Sequence, residues 1–590
     1  MENLVVGIDL GTTNCAVAYT STGAQDTAAT ELFYVAQLVN PGELVRRKLL
    51  PSFLYLPTEL DFPKGSLALP WDKKPSYLIG ELARSRGAEN PYRLVASAKS
   101  WLCHDKVNRM LPILPWQAPE DVPKISPVDA SMNYLSYLRL AWDYEHPETP
   151  LAEQDVLITV PASFDEAARN LTLKAAEAAG LKHITLLEEP QAAFYSWLDH
   201  QGESWRRKVK VGDLILVCDI GGGTTDFTLI SVAEEDGELQ LRRIAVGEHI
   251  LLGGDNMDLA LAYLLERRFA EQGHKIDSWQ LHSLWYRCRI AKERLLENPT
   301  LESEPVTILG KGSRLVGGTI TGELTKADLE QVLLEGFFPL CNRTDLPVKA
   351  RRGGLQEIGL PYAADAAITK HLAKFLSQQD FFCPTHVLFN GGVMKAESLC
   401  RRVVDVLNSW LAELGREPVK VLESADLDTA VARGAAYYGR ARRGRGVRIR
   451  AGAARTYYIG IESSMPAVPG IRPPIKALCV VPHGMEEGTS ADVPNQEFAL
   501  LVGEPAEFRF FSSIVRRNDK VGELIEELGD EILEMTPLEV TLQLEGEQGR
   551  LVPVRLEVKM TEVGTLELWC VTRDGKHRWK LEFNVREQDE

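Results

Sequence analysis

The feature that most restricts this chain is a pattern written twice. Residues 215–230 read ILVCDIGGGTTDFTLI and residues 4–20 read LVVGIDLGTTNCAVAYT: an apolar run, an acid, glycine, two threonines, and a second apolar run. The β-branched and aromatic flanks suit strands, and glycine permits a tight reversal between them. With no side chains in the way, the N–H groups of such a turn can approach an anion closely, which points to phosphate. Either stretch alone is read equally well as an ordinary hairpin with a glycine bulge. Together they say more. Aligning Asp9 with Asp219 sets Gly11 against Gly221, with hydroxyls beside the glycines in both. Two related half-domains, each with one phosphate-facing hairpin, can close on a nucleotide from opposite sides. Carboxylates at Asp9 and Asp219 would repel phosphate, and a Mg²⁺ ion between acid and phosphate, reached through waters, removes the conflict. The pair therefore reads as a divided ATP site.

A chain of 590 residues, 45% hydrophobic and 25% charged, has the composition of a soluble globular protein of several domains. Its formal charge of -17 argues against a nucleic-acid or anionic-membrane binder, because neutralising phosphate takes a basic face. It fits a cytoplasmic protein kept soluble by self-repulsion. The nine cysteines are scattered, with no CxxC pair, which favours reduced thiols over a disulfide or zinc framework. The N-terminus enters a strand within four residues, so neither a leader nor a membrane span is expected. No GxxxxGK[ST] sequence is present, which sets a Walker-type ATPase aside.

Between the two turns, residues 40 to about 125 are rich in prolines and aromatics and include RLVASAKSWL. DVLITVP reads as a strand, and DEAARNLTLKAAEAAGL as a helix ending at Gly180 with Ser163 or Asp165 as its cap. In LLEEPQAAFYSWL, Pro190 suits a first helical turn with Glu189 just before it. The strand, helix, strand alternation indicates an α/β architecture. The second half repeats it, with a helical excursion over about 255–298 and strands VTILGKG and GGTITGEL. In THVLFNGGVMKAESLCRRVVDVL, Gly391 and Gly392 stand at a helix start, where backbone donors favour an anion, a candidate α-phosphate and nucleoside side of the pocket. DLDTAVARGAAYYGRA forms a further helix. Residues 440–455, RARRGRGVRIRAGAAR, carry seven arginines and no acid and read as a linker, either a solvated connector or a binding patch. Beyond them LEVTLQLEG, VRLEVKM, LELWCV and WKLEFNV alternate strictly, as an antiparallel β-sandwich requires, with DKVGELIEELGDEILEM expected as an interrupting helix.

GIDLGTTN, VPASFDEAAR, LLEEPQAA, DIGGGTTDF, LGGDNMD, FNGGV and DLDTAVARGAA, in that order, resemble the nucleotide-binding domain of the seventy-kilodalton heat-shock protein (DnaK-type) chaperones, within the actin and sugar-kinase superfamily. The resemblance covers residues 1 to about 440; the tail from about 456 is similar, much more weakly, to that family's peptide-binding β-sandwich. It implies an actin-like domain over 1–440 (lobe I about 1–190, lobe II about 191–386, closing segment 387–440), a linker over 441–456, and a β-sandwich over 457–590. Because only REQDE follows the last strand, a lidless, divergent member is expected.

For the site, the resemblance implies that Thr12 and Thr13 contact phosphate and that Asp9 and Asp219 hold the water shell of Mg²⁺. Lys99 would reach the γ-phosphate and the attacking water, and Glu189 would orient that water; the less favoured alternative for Lys99 is a surface lysine. Thr224 and Asp226 would complete the second loop. Gly11, Asn14, Gly221, Gly222, Gly223, Thr225, Gly253, Gly254, Lys292, Gly391, Gly392, Val393 and Asp428 join the implied nucleotide contacts. Pro161 and Arg169 fall where the family has a proline switch and an arginine relaying nucleotide state; taken singly, they are a strand end and a solvated helix residue. Arg289 and Glu293 stand with charges exchanged and Leu296 replaces a small polar residue, which alters the adenosine side. The segment ARRGGLQEIGLPYAADAA appears inserted and receives no role.

The expected activity is Mg²⁺-dependent, slow ATP hydrolysis coupled to binding of unfolded or extended polypeptide, in a monomer served by J-domain-type and nucleotide-exchange partners. The alternative is a nucleotide-gated interaction or exchange module with little turnover. A small-molecule kinase or a filament former is disfavoured because neither has a use for the β-rich tail.

Overall fold

Strand formation in the first part of the chain follows its apolar β-branched runs, and in the computed structural model those runs assemble into two sheets of one design. The structure describes residues 4–584 except 24–28, 105, 163, 236–237, 249, 299, 311–317, 349–358, 380–382, 425, 448, 451–452, 454, 464–473, 487, 495, 514, 527, 530, 545–548 and 562–564. It divides into two units, Met1–Arg448 and Ile449–Glu590.

In the first unit, the strand Leu4–Leu10 lies between the antiparallel strand Asn14–Ser21 and the parallel strand Asp155–Val160, which is itself followed outward by the parallel strand His183–Glu188. Leu214–Ile220 repeats this, flanked by antiparallel Thr225–Glu235 and parallel His386–Asn390, with Lys420–Leu422 beyond. Each parallel crossover includes at least one helix, and the first also carries several short strands. Asp9 and Asp219 thus occupy equivalent places, each near the C-terminal end of its central strand.

The helix Ala430–Ala441 packs across the first sheet and along the helix Glu189–Gln201 through a seam of small residues. A Cβ on Gly434 would lie 1.7 Å from the carbonyl oxygen of Ala192, and one on Gly7 would lie 2.3 Å from that of Ala432. Ala16, Ala18, Ala432 and Ala436 fill the rest of this contact. Backbones this close exclude any larger residue at the two glycines. Asp165 caps the helix Glu166–Ala178 by accepting from the Ala168 amide, whereas Ser163, the other candidate, lies outside the described residues.

The unit boundary falls inside the arginine tract, and the tract's first half is pinned. Arg442 donates to both oxygens of Asp155 (2.7 and 2.8 Å) and to Thr185 Oγ1 (2.8 Å), Arg443 meets the same aspartate at 2.8 Å, and Arg445 donates to the Thr22 carbonyl at 2.7 Å. Residues up to 445 therefore behave as a strap on the first sheet.

The second unit contains two five-stranded antiparallel sheets. Val554, Leu556, Val558 and Met560 alternate inward along Arg550–Met560, and they share one core with Tyr457, Leu478 and Phe510 of the other sheet. Phe510 and Phe583 stack at 4.5 Å across it. The acidic stretch 519–535 forms no helix among its described residues. Gly522, at φ 85, turns the chain, after which Leu524–Ile525 pair with Leu478 and Ala477, and Leu533 already opens the strand Leu533–Thr541. A sheet edge that half-buries Leu524 and Ile525 outweighs the helix preference of glutamate. All nine cysteines are unpaired, and no described helix is long and apolar enough to cross a membrane.

Candidate functional site

A cleft of about 1350 Å³ in the first unit is lined from both sheets. The first turn contributes Asp9, Gly11, Thr12, Thr13 and Asn14, and the second contributes Asp219, Gly221, Gly222 and Thr224. The two turns meet there. A Cβ on Gly222 would fall 1.9 Å from Thr13 Oγ1, so only glycine leaves room for the opposing hydroxyl. Lys99, Glu189, Gly254, Lys292, Gly391, Gly392, Val393 and Asp428 line the same cleft.

The remaining residues singled out from the sequence lie behind this lining. Gly223 backs onto Ser100, Thr225 donates its hydroxyl to the Leu252 carbonyl (2.8 Å), and Asp226 stands opposite Asp219 in the antiparallel ladder. Gly253 packs on the carbonyls of Gly221 and Gly222 at the start of the helix Gly254–Glu271. Gly391, at φ 87, leads into a short 3₁₀ turn, and the α-helix Glu397–Glu413 begins only after it. Pro161 and Arg169 are buried away from the cleft. Arg169 reaches buried Glu188 at 3.7 Å, and Glu188 is also held by Arg243 at 2.6 Å, so the arginine lies one residue from Glu189.

Each central acid has one polar neighbour on its parallel strand. Thr159 Oγ1 donates to Asp9 (3.3 Å), and Asn390 Nδ2 donates to Asp219 (2.9 Å). Lys99 forms a buried ion pair with Glu189. Burial, then repulsion from Glu189, pushes the Asp9 carboxyl up to about 7 despite the opposing pull of Lys99. Burial, with Glu189 again next, also drives Asp219 well above the usual carboxylate range. Burial works against the Lys99 charge, but Glu189 and Asp9 outweigh it and hold the ammonium above the ordinary lysine value. Asp9, Glu189 and Asp219 crowd a single lysine, an excess of carboxyl groups over cations beside two turns suited to phosphate.

That excess fits a divalent cation. Among the described residues no three acidic, histidine or cysteine side chains form a direct metal cage. The donor set suits Mg²⁺ that keeps its waters and is completed by phosphate oxygens. Asp9 and Asp219 would hold that shell. A pH dependence follows. Asp9 has a folded-state value above its ordinary 3.8, so its contribution to stability is full below about 4 and is lost as pH rises through about 7. In metal-free protein the melting midpoint is expected to fall between about pH 5 and about pH 8, and the fall should shrink in Asp9→Asn and on adding Mg²⁺, as read by thermal denaturation.

On the opposite wall the exchanged charges have found partners. Arg289 donates to Asp258 (2.7 Å) and Asp255 (2.5 Å), and its guanidinium lies 5.6 and 5.8 Å from the Phe53 and Tyr286 rings. Lys292 meets Asp258 at 2.6 Å, and Glu293 faces Arg84 at 3.6 Å. Arg289 is therefore engaged within the protein. Leu296, Leu333 and Leu399 give this part of the cleft an apolar floor. At the mouth, Lys48 bridges Asp426 (2.7 Å) and Asp428 (3.0 Å), and Lys395 bridges Asp428 (3.2 Å) and Glu297 (3.1 Å). Asn390, Ser97, Asp255 and Lys48 are contributors that sequence reasoning passed over. Asn390 alone carried a usable signal, since VLFNGG and VLITVP can be superposed as the parallel neighbours of the two acid strands.

Duplicated sheets with facing acid, glycine and threonine turns define a two-lobed α/β domain with a cleft lined from both lobes. Comparison with known proteins narrows the class. The family model described as Hsp70 protein matches residues 69–350. The chain is similar to the chaperone protein HscA homolog of Pseudoalteromonas atlantica (30% identical over 316 residues, 51% of this chain and 43% of the relative). It is similar also to the chaperone protein HscA homolog of Pseudomonas aeruginosa (30% over 352 residues, 57% and 47%) and to the chaperone protein HscA of Enterobacter sp. (30% over 276 residues, 45% and 38%). Over residues 69–350 the chain is thus similar to the Hsp70 family. The alignments span less than half the length of these relatives.

Proposed function

We propose that the chain binds ATP between the two turns, hydrolyses it slowly in the presence of Mg²⁺, and uses nucleotide state to govern capture of extended polypeptide by its second unit. The observation that carries this reading is the meeting of the twin turns at Gly222 and Thr13, with the Lys99–Glu189 pair lining the same cleft. Phosphoryl transfer to water asks mainly for position and charge stabilisation. Backbone donors of the turns, with Thr12, Thr13 and Thr224, take the phosphate oxygens. Lys99 draws charge from the γ-phosphate, and Glu189 orients the attacking water. Bound Mg²⁺ would supply neutralisation of the phosphate charge. Asp9 and Asp219 would hold it, through water.

The second unit reads as a β-sandwich for extended peptide, and Pro161, Arg169 and Glu188 as the relay that reports nucleotide state. Co-chaperones of the J-domain and exchange-factor kinds belong to the same reading, as does a cytoplasmic monomer. The affinity of a fluorescent unfolded peptide is expected to differ about fivefold or more between ATP and ADP. Equal affinities would remove the coupling. ATP binding without turnover or peptide affinity would favour a nucleotide-gated interaction module.

A further inference from the structure

The catalytic lysine proposed above stands on a helix that cannot hold itself in place. Ala98–Trp101 is a single turn whose N-cap residue, Ser97, makes no side-chain bond to it. One turn has little stability of its own, because nucleation is costly. Ser97 also has a left-handed backbone, φ 52 and ψ 30, a conformation that a residue with a side chain adopts only when its surroundings impose it. Its hydroxyl is turned elsewhere. It donates to Asp255 Oδ2 at 2.7 Å, joining the first lobe to the second.

Asp255 is a fixed anchor. Its other oxygen accepts from buried Arg289, and its own amide donates to the Gly222 carbonyl at 2.7 Å, which ties it to the second phosphate turn. The helix bearing Lys99 touches that turn as well, since a Cβ on Gly223 would fall 2.7 Å from Ser100 Oγ. The geometry points to Ser97 as a positioning residue: its bond to Asp255 sets the Lys99 helix against the second turn, so the lysine is aligned only when the lobes are closed.

This rests on the ATPase reading, and the test separates the two. Single-turnover hydrolysis and ATP affinity are measured on the full chain carrying Ser97→Gly, Ser97→Ala or Ser97→Asn. Glycine relieves the backbone conformation but removes the hydroxyl; asparagine tolerates the left-handed region and restores a donor. The glycine and alanine variants are expected to hydrolyse about tenfold more slowly, with asparagine recovering most of the rate and all three keeping ATP affinity within about threefold. A wild-type rate in Ser97→Gly overturns the proposal, as does a loss of ATP affinity matching the loss of rate. Wild-type protein that binds but never hydrolyses ATP removes the ATPase reading and this inference with it.

Discussion

Alanine at Lys99 is expected to lower phosphate release by roughly a hundred- to a thousandfold while leaving ATP affinity within about tenfold. The asymmetry comes from where the charge acts. Lys99 lines the cleft, buried and paired with Glu189, so its ammonium meets little solvent screening and would act on the charge of the phosphate proposed to lie there. In the proposed reading the turns would supply most ground-state contacts to phosphate, and they are untouched by the change. Removing the lysine also takes from Glu189 the cation it is paired with. Steady-state phosphate release and calorimetric titration with ATP read the two quantities separately. Equal losses in both would show that Lys99 merely binds.

The second large effect is structural. Gly434→Ala is expected to destabilise the first unit by about 3 kcal/mol or more, because the new methyl would meet the Ala192 carbonyl at 1.7 Å and backbone cannot swing aside as a side chain can. Relief requires the helix Ala430–Ala441 to lift away from Glu189–Gln201. That second helix begins at Glu189, so the shift is carried to the residue paired with Lys99. Denaturation of the full chain should show an early transition, with hydrolysis reduced even where the protein remains folded. An unchanged melt would mean that the two helices slide past one another freely.

How much of this was legible beforehand depends on the range of the interactions involved. The two acid and glycine turns, the α/β alternation and the alternating tail are local patterns, and they announced the paired sheets, the cleft and the β-rich second unit. Asp165 as a helix cap is of the same kind. The acidic stretch 519–535 misled because its leucines and glutamates satisfy a helix locally, while the sheet edge that Leu524 and Ile525 join is formed by residues far away in sequence. Ser97 was hidden for a similar reason, since its partner lies 158 residues on. Arg289 shows a third limit. The resemblance to the family marked a charge out of place but not the two aspartates and two aromatic rings that absorb it.

The arginine strap makes the chain's exit from the first unit a mechanical handle. Arg442 and Arg443 grip Asp155, the first residue of a strand whose penultimate residue, Thr159, bonds Asp9 and whose continuation is Pro161. A tug on the residues just past 445 would load that strand along its length and arrive, one hydrogen bond later, at the first acid of the cleft.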